Sequence, residues 1–89
     1  MPTISMFYGI LIQLYFFDNL KHHLPHIHAE YSGKEGIFSI ESGELIEGSL
    51  PTKQRKMVEA WIEIHRDELI ADWKLAINGE PVFRIDPLK

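Results

Sequence analysis

The spacing of apolar residues changes period once, near Leu50-Pro51, and that change limits the fold more than any other feature of the chain. Before it, residues alternate. From His26 to Ser32, Ile27, Ala29 and Tyr31 fall on one side and His26, His28 and Glu30 on the other, which is the period of a strand. Ser32-Gly33 has turn chemistry, Gly36 to Glu41 alternates again around Phe38 and Ile40, and Ser42-Gly43 leads into a short strand around Glu44 to Glu47. After it, Met57, Val58, Trp61, Ile62 and His65 recur at helical spacing. Strands followed by helix predict an α+β domain in which a C-terminal helical half covers an antiparallel β-meander of three to four strands.

The pairing of the strands follows from the turns. If Ser32-Gly33 is a two-residue turn, Ile27 lies opposite Phe38; a four-residue loop ending at Glu35 puts it opposite Ile40. Directly opposed residues share a face, so both registers gather Ile27, Ala29, Tyr31, Phe38 and Ile40 on the core side. A two-residue turn at Ser42-Gly43 adds Leu45. The other face carries His26, His28, Glu30, Ser39 and Glu41, with Ile37 and Ile46 as apolar exceptions, and it is expected to stay uncovered, the alternative being that helix and tail wrap to both sides and form a pocket over the histidines. Upstream, Tyr8 to Phe16 is apolar on both sides apart from Gln13 and reads as a central buried strand with a bulge or a close backbone approach at Gly9. A loop from Asp18 to Pro25 follows it.

The helical half begins at Ser49 or Leu50, with Pro51 suited to a first turn. Its second stripe, Leu69, Ile70, Trp73, Ala76 and Ile77, is rotated by about 100° from the first on a helical wheel. One straight helix cannot turn both stripes to one surface, so a bend or split is expected around His65-Arg66-Asp67. Gly79 and Pro81 end the helix, and Val82-Phe83-Arg84-Ile85 is apolar enough to dock as an added edge strand. The organisation expected is one domain over residues 1–89, with sheet over 1–48, helix over 49–79 and a tail over 80–89.

Composition narrows the functional classes. The chain has no cysteine, which removes disulfides, thiolate metal sites and cysteine nucleophiles and suits a reducing, cytoplasmic compartment. Asp and Glu outnumber Lys and Arg by 13 to 9, a balance that argues against non-specific binding to nucleic acid. Lys53, Arg55 and Lys56 read as a solvated first helical turn. Met1-Pro2-Thr3-Ile4-Ser5 lacks the basic start of a signal peptide, and the apolar run from Met6 to Phe17 is well short of the roughly 20 residues a spanning helix needs.

The chain's one dense polar constellation runs from His22 to Glu30 and holds four of its five histidines. Strand geometry puts His26, His28 and Glu30 in a row about 7 Å apart on one face. Two imidazoles and a carboxylate suit zinc or another divalent transition metal, with His22 or His23 as a further ligand and Glu41 as an orienting carboxylate. The same row also serves as the polar surface of a half-wet sheet, needing no cofactor. His65, on the apolar stripe, reads as a half-buried core histidine, and Trp61 and Trp73 as anchors of helix to sheet.

Several segments together, Met1-Pro2-Thr3-Ile4, Phe7-Tyr8-Gly9-Ile10, Pro25-His26-Ile27-His28-Ala29-Glu30-Tyr31, Gly43-Glu44-Leu45-Ile46-Glu47-Gly48 and Trp61 with His65-Arg66-Asp67-Glu68-Leu69 and Trp73, carry a resemblance. The chain resembles an uncharacterised bacterial domain-of-unknown-function family of small proteins with N-terminal Met-Pro-Thr-Ile and a Pro-His-x-His signature. The resemblance implies a partner encoded nearby, in pairs described as toxin–antitoxin-like, and it brings no catalytic assignment to His26 or His28. The reading that follows is a small protein-interaction domain that binds such a partner or itself through His26, His28, Glu30, Ser39 and Glu41. The alternative is a metal-dependent hydrolase or nuclease built on His26, His28 and Glu30, and a third option is a small-ligand sensor.

Overall fold

The computed structural model describes residues 3–14 and 24–89. Among these, five strands form one antiparallel sheet in the order β1-β2-β3-β4-β5: β1 Thr3–Phe7, β2 Ile10–Gln13, β3 His26–Tyr31, β4 Lys34–Ser39 and β5 Leu45–Gly48. A 26-residue helix, α1 Thr52–Ile77, follows. The α+β class is as expected, whereas the strand count is five rather than three to four.

The extra strand comes from Tyr8-Gly9. Both residues have positive φ (49° and 78°), and β1 pairs with β2 through Phe7 opposite Ile10. Positive φ at both central residues is the backbone of the two-residue hairpin turns that match strand twist. Gly9 therefore closes a hairpin instead of marking a bulge. The signal was concealed because tyrosine rarely takes the first turn position, where asparagine or glycine is usual. Ser32-Gly33 makes the same turn, with φ of 50° and 82°. Ile27 accordingly lies opposite Phe38, the shorter-loop register.

The Ser42-Gly43 connection is longer than a two-residue turn. Leu45 sits opposite Phe38 instead of Ile40, and the register shifts at Ile37/Phe38. Gly43 N–H donates to Ser39 O at 2.8 Å, and the Arg66 guanidinium in α1 donates to Ile40 O at 3.0 Å. A displacement of two residues keeps side chains on their faces, so Leu45 still joins the core side. Gly48 ends β5 at φ 77°, where a Cβ would run into the Glu35 carbonyl. Only glycine is comfortable there.

Helix α1 is a single element. Within it His65 alone leaves helical dihedral space, at φ −110° and ψ 21°. This residue stands where the two apolar stripes change direction. The helix closes with Gly79 N–H on Ala76 O and Glu80 N–H on Leu75 O, Gly79 having φ 73°. That pair of bonds is the glycine-ended termination that satisfies orphan carbonyls. None of the described helix is long and apolar enough to cross a membrane.

Val58, Trp61, Ile62 and Leu69 are fully buried against Ile27, Phe38, Ile40 and the first hairpin. Trp61 lies with its ring centroid 5.4 Å from that of Phe7 and donates its indole N–H to Asp86 O at 2.8 Å. The tail docks here, and Ile85 N–H donates to Ile4 O at 2.8 Å. It is not a further strand, since that is its one backbone bond to β1 among the described residues. Removing the indole leaves a cavity at the junction of sheet, helix and tail. Trp61→Ala should cost about 3–5 kcal/mol of unfolding free energy in urea titration; a loss below about 1 kcal/mol would contradict this packing.

Candidate functional site

Strand β3 lies at the centre of the sheet, so both of its faces can be covered. The alternating row anticipated from the sequence is present: His26 opposite Ser39, His28 between Gln13 and Ile37, and Glu30 between Leu11 and Glu35. The expectation that this face stays uncovered is corrected. His26 and His28 are only 2% and 4% exposed, and Ser39 and Ile37 are buried beside them.

His26 owes part of its cover to α1, because its ring centroid lies 5.0 Å from that of Trp73. Trp73, from the second apolar stripe, thus helps to cover His26. The His26 Nδ1 lies 2.8 Å from Leu24 O. A carbonyl only accepts, so Nδ1 carries the proton and Nε2 is the ring's lone-pair nitrogen in the neutral form. The two imidazoles are 5.4 Å apart, and His28 Nδ1 stands 3.6 Å from a Glu35 carboxylate oxygen. At that separation the pair is an ion pair when His28 is protonated and weaker than a hydrogen bond otherwise.

The five residues expected to act as one surface divide into two layers. His26, His28 and Ser39 form a buried polar layer, while Glu30 and Glu41 are exposed. Among the described residues, no three or more His, Asp or Glu side chains gather in a way that could hold a metal ion. His22 and His23, named as additional ligands, lie outside the described residues. Glu35 was missed by sequence reading, although the two-residue register already places it opposite Glu30.

A second polar locus lies on α1. His65 Nδ1 is 2.6 Å from Glu68 Oε1, and the ring packs 5.6 Å from Trp61. It lines a shallow groove of about 280 Å³ with Ile64 and residues Asp86 to Lys89 of the tail. About two turns further on from His65, Asp72 is 2% exposed, and its Oδ1 accepts Phe83 N–H at 3.0 Å. Burial raises the Asp72 pKa, the Phe83 bond opposes this, and the negative charge of Glu68 adds to the rise. Sequence reading passed over Asp72, yet its spacing of three from Leu69 and four from Ala76 puts it on the apolar stripe.

This arrangement defines a class: an antiparallel sheet with a buried histidine layer in its central strand, closed on one side by a C-terminal helix. The chain belongs to the family described as a domain of unknown function (DUF4160), whose model matches residues 9–74. That span contains the Pro-His-x-His segment and Asp72, and leaves out β1, the Met-Pro-Thr-Ile start and the tail. Comparison with curated proteins and with solved structures yields no match.

The raised pKa of Asp72 has a definite consequence for stability. A carboxyl whose folded pKa exceeds its unfolded one opposes folding when ionised, and the penalty is relieved as pH falls through the folded value. Asp72→Asn keeps an oxygen for the Phe83 N–H and removes the charge. The variant should therefore melt at or above the wild-type temperature at pH 7, with the gap shrinking as pH is lowered toward 4. Parallel thermal melts across this range check it; a variant destabilised at every pH would show that the charge itself is needed.

Proposed function

We propose that the chain is a small bacterial, cytoplasmic protein-interaction domain, one component of a toxin–antitoxin-like pair, and that it receives a basic partner on the carboxylate rim above His26 and His28. The observation that carries this reading is the placement of Glu30 directly opposite Glu35, both exposed. Like charges facing each other across a strand pair destabilise a sheet by about 0.2–1 kcal/mol. Glu47, opposite Ile37, adds a third exposed carboxylate to the same face. Met6 and Tyr8, exposed at the adjoining hairpin, supply apolar surface beside this charge. Acidic groups with apolar neighbours suit recognition of a protein carrying Lys or Arg. Ser39 and the histidines then act from beneath, fixing the strand that presents the rim.

The metal-dependent alternative has one observation in its favour. The His26 tautomer set by Leu24 O resembles the way a carbonyl orients a metal-ligating imidazole. His26, His28 and Glu30, joined by His22 or His23, would be its ligands for zinc or another divalent transition metal.

Binding of the product of the adjacent reading frame, measured by calorimetry at low salt, tests the first reading. Glu30→Lys should weaken binding by about tenfold or more, since a rim charge becomes repulsive. The same change should raise the domain's own stability by about 0.2–1 kcal/mol. Unchanged affinity would refute the rim. Elemental analysis of untagged protein decides the alternative: a stoichiometric metal lost in the His26→Ala, His28→Ala double variant would replace the interaction reading.

A further inference from the structure

The tail contacts β1 and α1 at places where two buried polar groups stand unsatisfied. Asp72 Oδ2 and Ser5 Oγ are buried without a hydrogen-bond partner among the described residues, and their residues are only 2% and 1% exposed. Both flank the same short piece of chain. The Asp72 carboxylate holds Phe83 N–H through its other oxygen, and Ser5 follows Ile4, whose carbonyl holds Ile85 N–H. No cation compensates Asp72 among the described residues; the neighbouring charge it feels is that of Glu68. A buried carboxylate oxygen without a donor is costly, and proteins keep such groups where something else completes them.

The tail is a poor occupant by the same measure. Val82, Phe83 and Ile85 carry no side-chain donor, and Arg84 is exposed. Phe83 turns outward with 72% of its surface in solvent. Ahead of the tail, residues 78–81 are exposed, and Gly79 has open space around it. Such a link gives the tail a hinge, while Ile85, 5% exposed, and the Trp61–Asp86 bond are the contacts that lifting it must break.

We propose that the trough between β1 and α1, held here by Val82 to Asp86, is the binding site for an extended, Lys- or Arg-bearing segment of a protein partner, which displaces the chain's own tail. The incoming segment adds to the β1 edge through main-chain hydrogen bonds, as strand-adding peptides do. Its ammonium or guanidinium group supplies the donor that Asp72 Oδ2 lacks. The Trp61 indole N–H, released from Asp86 O, is then offered to a carbonyl of the new occupant. The proposal rests on the interaction-domain reading and on a basic partner, but its site is separate from the Glu30–Glu35 rim.

The test uses the full chain, with amide hydrogen exchange followed by NMR and two capped pentapeptides as probes, one alternating valine with lysine and one alternating valine with glutamate. The lysine peptide should speed exchange at Phe83 and Ile85 while leaving β3 amides protected, and should bind about tenfold more tightly than the glutamate peptide. Asp72→Asn should reduce that preference to within about twofold, and Glu30→Lys should leave it within about twofold of wild type, which separates failure at this site from failure at the rim. Equal binding of the two peptides would overturn the proposal. So would a lysine preference that survives Asp72→Asn, unchanged exchange at Phe83 and Ile85, or concentration-dependent dimers in which tails are exchanged between copies.

Discussion

Trp61 joins three parts of the chain that lie far apart in sequence. Its ring packs on Phe7 from the first hairpin, its edge lies near His65 at the interruption of α1, and its N–H holds the carbonyl of Asp86 in the tail. An indole can do all three because it is large, apolar over most of its surface and polar at one atom. The sheet is a meander whose strands pair with their sequence neighbours, and pairing alone leaves its apolar face open to water. Packing around Trp61 closes that face and sets where the tail runs. Both features proposed for function follow from this placement, because the helix that carries Trp61 also carries Trp73 to His26 and Asp72 to Phe83.

The histidines illustrate how cover changes chemistry. On an exposed sheet face, two imidazoles and a glutamate would meet solvent and any ligand on equal terms. In this fold the imidazoles lie beneath the surface, with one proton position set by Leu24 O, and the carboxylates Glu30 and Glu35 stand at the rim. A buried polar layer is tolerable only when its groups are hydrogen-bonded. On this face the carboxylates Glu30, Glu35 and Glu47 are what solvent can reach.

The edges of an open sheet are an exposed template for further strands. Here β5 is short, bulged and ended by Gly48, which discourages pairing, whereas β1 is covered by the tail through one backbone bond. The two edges are therefore protected by different means. Beneath the tail Asp72 is buried, and no cation among the described residues compensates it.

Much of the architecture was legible in residue order, because local chemistry controls it. Alternation at His26 to Ser32, the Ser32-Gly33 turn and the helical stripes around Trp61 and Trp73 each report a period or a dihedral preference that neighbouring residues set between themselves. The core side of β3 and β4 followed, and survived even where the register after Ser42-Gly43 shifted, since a slip of two residues preserves faces. Tyr8-Gly9 escaped because its turn depends on a tyrosine taking positive φ, which hairpin pairing of β1 with β2 enforces and local preference does not. The row of His26, His28 and Glu30 was equally visible, but its division into a buried layer and an exposed rim was not. Burial is decided by what arrives from elsewhere in the chain, and for His26 that includes Trp73, forty-odd residues away on α1. Asp72 stood on the apolar stripe in plain order; only the docking of Phe83 and Ile85 showed that it is buried, half satisfied and facing the tail.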